Sequence, residues 1–296
     1  MAEFLNHLFT DLKYKTGTIS GYRTALCDFL RVHSNEDFSE SAILSRLLFS
    51  FKSEEPKPVD RCPKWDLSLV LNYLASDKFE PIDKIEMKLL TWKTVFLVAL
   101  ATASRGSELH ALSFRETWFD NKWRGIQLGF IPGFKAKTQK HNDRIEIPAL
   151  SVDDGSSEER RLCPVRALKA YRNRTRQYRA ENPKVERLFV SFKTGHSHDI
   201  CKNTIAGWIR ALIHATYAHC PESVIKLTAA KPHEVRALAT SLAWRNNIPL
   251  AEVLEAANWT NQNTFISRYL RDTALTRDGL SKLGPVVAAQ TIVRPH

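Results

Sequence analysis

Apolar residues recur every three to four positions in the first part of the chain. FLNHLFTDL, ISGYRTALCDFLRVH and SESAILSRLLFSF each gather them on one side of a helix. Thr18 or Ser20 offers a cap for the second helix, because a short hydroxyl can accept from the free N–H groups of a first turn. Residues 1–55 therefore read as a helical module, short for an independent domain. KSEEPKPVDRCPKWD, at 52–66, breaks the pattern with charge and proline, and a proline disfavours helix in the residue before it. Residues 56–66 read as a linker. Asp66 is then placed to cap DLSLVLNYLAS, and KIEMKLLTWKTVFLVALATAS is long and apolar enough for a core helix. SRGSELHAL follows it directly.

Alternation with a period of two comes in the middle. WFDNKWRGIQLGFI and DRIEIPAL flank the polar, basic GFKAKTQKHN, as in an antiparallel hairpin with one packed face. Helical spacing returns in CPVRALKAYRNRTRQYRAE, with Pro164 at its start. RLFVSF reads as a short strand or extended piece, and DICKNTIAGWIRALIHATYAH as a helix. KPHEVRALATSLAWRNN and ANWTNQNTFISRYLRD complete a mainly α fold with a small antiparallel β-sheet over 67–296. LSKLGPVVAAQTIV is an apolar tail with no evident place in that core.

Charge narrows the function classes. Lys and Arg number 43 against 32 Asp and Glu, a net charge of +11. Such an excess suits a polyanionic partner, nucleic acid above all. No apolar run reaches the ~18 residues of a membrane span. MAEFLNHLFTDLKYK carries acids early and has no small-residue cleavage site, unlike a signal peptide. The five cysteines are scattered without a CxxC, which points to a reducing compartment and away from structural zinc. His196 and His198 in TGHSHDI read as a polar loop, since no cysteine or acid cluster joins them.

Chemistry concentrates in a few places. His233 and Arg236 are three apart, on one helical side, with Pro232 suited to the first turn. Arg105 carries Glu108 three residues on. Two arginines from distant segments can clamp one phosphate, because guanidinium is planar, always charged and matched to phosphate oxygens. Tyr269 offers a hydroxyl nucleophile, but with a free pKa of about 10 it needs cations or a base beside it. His233 can accept that proton. Lys135, Lys137 and Lys140 lie in the hairpin and can protonate a leaving oxygen. Trp259 has an indole N–H that can only donate. Taken singly, HxxR is a surface pair, a helical tyrosine is packing, Trp259 is core and SRGSEL is a capped helix start. Their combination and order carry the reading.

That order resembles the tyrosine recombinase (phage integrase) family across 64–272. ATASRGSELHAL is similar to its first Arg box with the acidic partner Glu108, and FKAKTQKHNDRIEIPAL to its Lys-bearing hairpin. KPHEVRALATSLAWRNN is similar to its HxxR box. EAANWTNQNTFISRYL resembles its last box, with Trp259 where histidine is commoner. PKWDLSLVLNYL and NWTNQNTFISRYL resemble the eukaryotic Crypton and DIRS-like mobile-element branch. Three departures stand out. The interval from Trp259 to Tyr269 is one residue longer than in the commonest bacterial members, the N-terminal helical module reads as a truncated form of the family's fuller DNA-clamping domain, and the hairpin carries several lysines where one is catalytic.

The resemblance implies metal- and ATP-independent DNA cleavage and rejoining, with no cofactor. Tyr269 would form a 3′-phosphotyrosyl link while Arg105 and Arg236 hold the phosphate oxygens. Lys137, favoured over Lys140, would protonate the 5′ oxygen, His233 would assist, Trp259 would complete the pocket and Glu108 would support it. Lys135, Lys140, Arg144 and Lys231 would contact the DNA, within a clamp of two lobes. A tetramer on double-stranded DNA is implied, joined by exchange of the tail, so deletion of 278–296 is expected to weaken assembly. Localisation is intracellular, and nuclear for a eukaryotic element. A recombinase derivative that only binds DNA and a type IB topoisomerase are the alternatives, and Tyr217 is the fallback nucleophile.

Overall fold

The structure, a computed structural model, describes residues 1–56, 64–120, 122, 124–136, 144–150, 157–191, 200–218, 220, 231–257, 259 and 262–271. The chain divides into two units, Met1–Asp60 and Arg61–His296, and the division falls inside the proline-rich stretch.

The first unit is built from α1 (Ala2–Thr10), α2 (Thr16–His33) and α3 (Ala42–Glu54). Leu5, Leu8, Ile19, Leu44, Leu48 and Phe51 interlock in its core, where Phe51 stacks on Phe9 at 4.2 Å. Ser41 caps α3 by accepting from the Leu44 N–H at 3.4 Å. Neither Thr18 nor Ser20 caps α2, which starts earlier: Lys15 is its extended N-cap and makes no side-chain cap bond. Large apolar side chains also lie outside. Phe29, Val32, Ile43 and Phe49 are more than half exposed.

The second unit is mainly helical with one small sheet. Asp66 caps α4 (Leu67–Ala75) by accepting from the Ser68 N–H at 2.8 Å. At the centre is α5 (Met87–Thr102), with every residue from Val95 to Thr102 buried. It packs against α8 (Pro164–Arg174) and α10 (Lys202–Thr216). Ala103 ends it in the left-handed region (φ 48°), which turns the chain sharply into α6 (Gly106–Ala111). α7 (Ser157–Leu162) and α9 (Arg176–Glu181) flank α8. The expected helix over CPVRALKAYRNRTRQYRAE is thus interrupted at Thr175, whose hydroxyl bonds the Tyr171 carbonyl at 2.9 Å. α11 (His233–Arg245) and α12 (Leu250–Ala256) follow.

The sheet has three strands in the order β1 (Leu112–Phe119), β2 (Gly125–Phe130) and β3 (Arg144–Pro148), all antiparallel. The alternating pattern predicts two of these arms. WFDNKWRGIQLGFI in fact turns after Phe119, and β1 begins within SRGSELHAL. Its signal is weak because the register shifts between Leu112 and Thr117, so the period of two is broken. At Gly129 a side chain would meet Glu116 Cβ at 2.6 Å, so only glycine lets the strands close there. RLFVSF adds a single bridge, Ser113 to Arg187, rather than a strand. Among the described residues no helix is long and apolar enough to cross a membrane.

One charge lies deep in this unit. Lys93 is fully buried, donates to the Leu74 carbonyl at 2.9 Å and sits 3.7 Å from Glu80. Arg166 holds Glu80 with two 2.6 Å bonds. Burial pushes the Lys93 pKa down to about 8, against the pull of Glu80. Between that value and the ordinary 10.5 the unfolded chain binds more protons, so this group makes stability rise with pH across the window. The rise amounts to about 3 kcal/mol at most. Urea midpoints taken from pH 8 to 10.5 are expected to climb more in the wild type than in Lys93→Met. Parallel curves for the two proteins would contradict this.

Candidate active site

The first arginine is placed by the end of α5. After the left-handed Ala103 the backbone extends at Arg105, which becomes the N-cap of α6. Glu108, in the first turn of α6, accepts from the Arg105 N–H and from Arg105 Nη1, both at 2.7 Å. A third donor comes from 128 residues away: Arg236 Nη1 lies 3.4 Å from Glu108 Oε2. One buried carboxylate thus joins both guanidinium groups, so Arg105 and Arg236 meet as expected.

Arg236 is 3 % exposed, and its other contacts define the cluster. Nη2 donates to the carbonyl of Ala257, just after α12. The guanidinium lies 4.8 Å from the Trp259 ring centre and 5.7 Å from that of Tyr269, both within cation–π range. Burial, then the repulsion of Arg105, pulls its pKa down to about 10, while Glu108 and Tyr269 oppose the fall. Arg236 therefore stays charged at neutral pH. Two buried donors of this cluster, Arg236 Nε and Trp259 Nε1, have no hydrogen-bond partner among the described residues. A buried N–H without an acceptor costs on the order of 1–3 kcal/mol, so such a pair suits an anionic acceptor brought by a ligand.

Tyr269 reaches this group by an uncommon turn. The chain is helical over Gln262–Thr264 and then widens to a π-helical turn over Phe265–Tyr269. The Leu270 N–H donates to the Phe265 carbonyl, five residues back, at 2.8 Å. π-turns are rare and frequent at functional sites. Here the turn leaves the Tyr269 ring 4.4 Å from the Trp259 ring, with Phe265 buried behind at 5.6 Å from Trp259. Ser241 of α11, fully buried, ties the backbone down. Its hydroxyl faces the carbonyls of Ala237 (2.6 Å) and Tyr269 (3.2 Å) and accepts from the Arg271 N–H at 2.9 Å.

His233 and Arg236 divide between surface and interior. Arg236 is inside, whereas His233 is exposed on the first turn of α11. Partial burial of its ring, with Arg271 and Lys231 near, nonetheless pushes the His233 pKa below the usual imidazole value. A neutral ring at pH 7 can accept a proton. Pro232 is the N-cap, one residue before the helix.

Among the described residues, the remaining expected ones do not contribute to this buried cluster. Lys135, Arg144 and Lys231 are exposed, and Arg144 stacks over Trp118 at 4.1 Å. Lys137 and Lys140 lie outside the described residues, as do His196, His198 and the tail from 272 onward. Tyr217 is 7 % exposed, and its hydroxyl oxygen accepts the Asp66 N–H at 2.7 Å, so it does not join the cluster. A cleft of about 410 Å³ lies against Trp118, Arg124, Gln127 and Glu146 and contains none of the clustered residues. Among the described residues no three His, Cys, Asp or Glu side chains gather at metal-holding spacing. Sequence reasoning missed Ser241, Phe265 and the Ala257 carbonyl. Only the position of Ser241 in the apolar ATSLAW run hints at an inward-facing hydroxyl.

Comparison of the chain with protein-family models and with curated proteins finds no match.

Proposed function

We propose that the protein cleaves and rejoins DNA strands through a tyrosine-linked phosphate, as a recombinase of the tyrosine recombinase type. The observation that carries this reading is one cluster: Arg105 and Arg236 bound to a single carboxylate, beside a tyrosine ring and two buried N–H donors without acceptors among the described residues. Two guanidinium groups against one carboxylate leave a local positive excess. A phosphodiester fills it with charge-assisted hydrogen bonds.

In this mechanism the scissile phosphate sits between Arg105 and Arg236. Their N–H groups, with Trp259 Nε1–H, meet the non-bridging oxygens as negative charge grows, each such donor being worth about 10²–10³ in rate. The Tyr269 oxygen attacks phosphorus and gives up its proton, with His233 as acceptor. The phosphorus–5′-oxygen bond breaks and a hairpin lysine, Lys137, protonates the leaving oxygen. The new ester keeps the energy of the old one, so a free 5′ hydroxyl reverses the step without ATP.

The charge of the chain supports a role for the second unit in holding DNA. Residues 1–60 hold seven Lys and Arg against nine Asp and Glu, so the positive balance belongs entirely to residues 61–296. Covalent trapping tests the proposal. The protein is incubated with labelled nicked duplexes from a random-sequence pool, in chelator, and run on a denaturing gel. A slow, protease-sensitive band is expected. DNA binding without any such band would favour a derivative that binds and does not cut.

A further inference from the structure

Trp65 holds the first turn of α11 from outside. Its indole N–H donates to Glu234 Oε2 at 2.9 Å, in a bond between two buried side chains. Glu234 lies between His233 and Arg236 on that turn, and α11 has no side-chain cap of its own. The Glu234 and Val235 N–H groups close the turn on the Lys231 and Pro232 carbonyls at 2.9 and 3.3 Å, so what the indole fixes is the Glu234 side chain and, through it, the seat of the turn against Trp65. The same indole meets Phe96 edge-on, with ring centres 6.1 Å apart and planes at 68°. Phe96 belongs to α5, which runs through Ala103 to Arg105. Its neighbour is pinned as well, because the Asp66 N–H donates to Tyr217 Oη. One rigid side chain therefore touches both segments that deliver the paired arginines, and stands outside their cluster.

We propose that Trp65 is a positioning residue that sets the separation of Arg105 and Arg236 through Glu234 and Phe96, and so shapes the anion pocket. The proposal rests on the recombinase reading only for its DNA readout. The paired guanidinium groups bind an oxyanion whatever the reaction.

Trp65→Phe keeps the ring against Phe96 and removes the N–H. Two measurements are made on the full chain. The first is the rise in melting temperature on adding inorganic phosphate. The second is the single-turnover cleavage rate on a saturating nicked duplex recovered by trapping, with DNA affinity measured separately. In Trp65→Phe the phosphate-induced rise is expected to shrink and cleavage to slow by about ten- to a hundredfold, as for a small misplacement of reacting groups. The DNA affinity should stay near wild type, and the melting temperature without phosphate should fall only slightly, since the buried Glu234 carboxylate loses the indole donor but keeps a further interaction. Glu234→Gln keeps an oxygen for the indole and is expected to cleave faster than Trp65→Phe. An unchanged phosphate response in Trp65→Phe overturns the proposal. So does a loss matched by an equal fall in basal melting temperature, which would make Trp65 a general stabiliser. A wild type that responds to phosphate through Trp65 but forms no adduct would instead sink the recombinase reading and leave the positioning role standing.

Discussion

Tyr269→Phe is expected to bind DNA as the wild type does and to form no covalent adduct, a loss of at least about 10⁴-fold in strand cleavage. The substitution removes one oxygen and little else. The Tyr269 ring stacks on Trp259 at 4.4 Å and lies beside the Arg236 guanidinium, and a phenylalanine ring keeps both contacts. Its backbone carbonyl, which faces Ser241, is untouched. A denaturing gel reads the outcome directly, with a filter or mobility assay for binding. Adduct in the variant would move the nucleophile elsewhere. Tyr217 is a poor substitute: burial raises its pKa, and its oxygen is already the acceptor for Asp66.

Glu108→Ala is expected to lower the stability of the protein by about 3–5 kcal/mol, the usual cost of leaving a buried charge without its partner. Three donors converge on this carboxylate: the Arg105 N–H, Arg105 Nη1 and Arg236 Nη1. Without it Arg105 and Arg236 face each other, and the carboxylate that now offsets their repulsion is gone. A domain of this size loses roughly 2–4 °C per kcal/mol, so thermal unfolding should come on the order of 10 °C earlier. Added phosphate should recover part of the loss, because an oxyanion replaces the missing charge. A melting temperature within about a degree of wild type would mean that the guanidinium groups are well hydrated, against the burial argument.

The parts of the site legible in the sequence were those written locally. Arg105 with Glu108, and His233 with Arg236, are three residues apart, and helical spacing alone brings such pairs together. The apolar run of α5 announces a core helix, and Asp66 before DLSLVLNYL announces a cap. What stayed hidden depends on contacts across long stretches of chain. Trp65 and Glu234 are 169 positions apart, and nothing near either residue signals the other. β1 was missed because its irregular register destroys the alternation that identifies a strand. The exposure of His233 follows from its place at the end of the helix: every residue of α11 from Glu234 to Ala243 is buried, whatever its angle, and the histidine that opens the helix before them reaches the surface.

The π-turn before Tyr269 has a meaning for how such a chain tolerates change. In an ordinary helix, inserting one residue rotates everything beyond it by about 100°, which would swing a tyrosine off its target. Closing one turn over five residues instead of four stores the additional residue as a local bulge, and the flanking segments keep their registers. Loop length and the placement of the Tyr269 ring are thereby uncoupled. A residue inserted or removed between Trp259 and Tyr269 is therefore expected to leave the ring contacts in place, provided the bulge forms or dissolves in step.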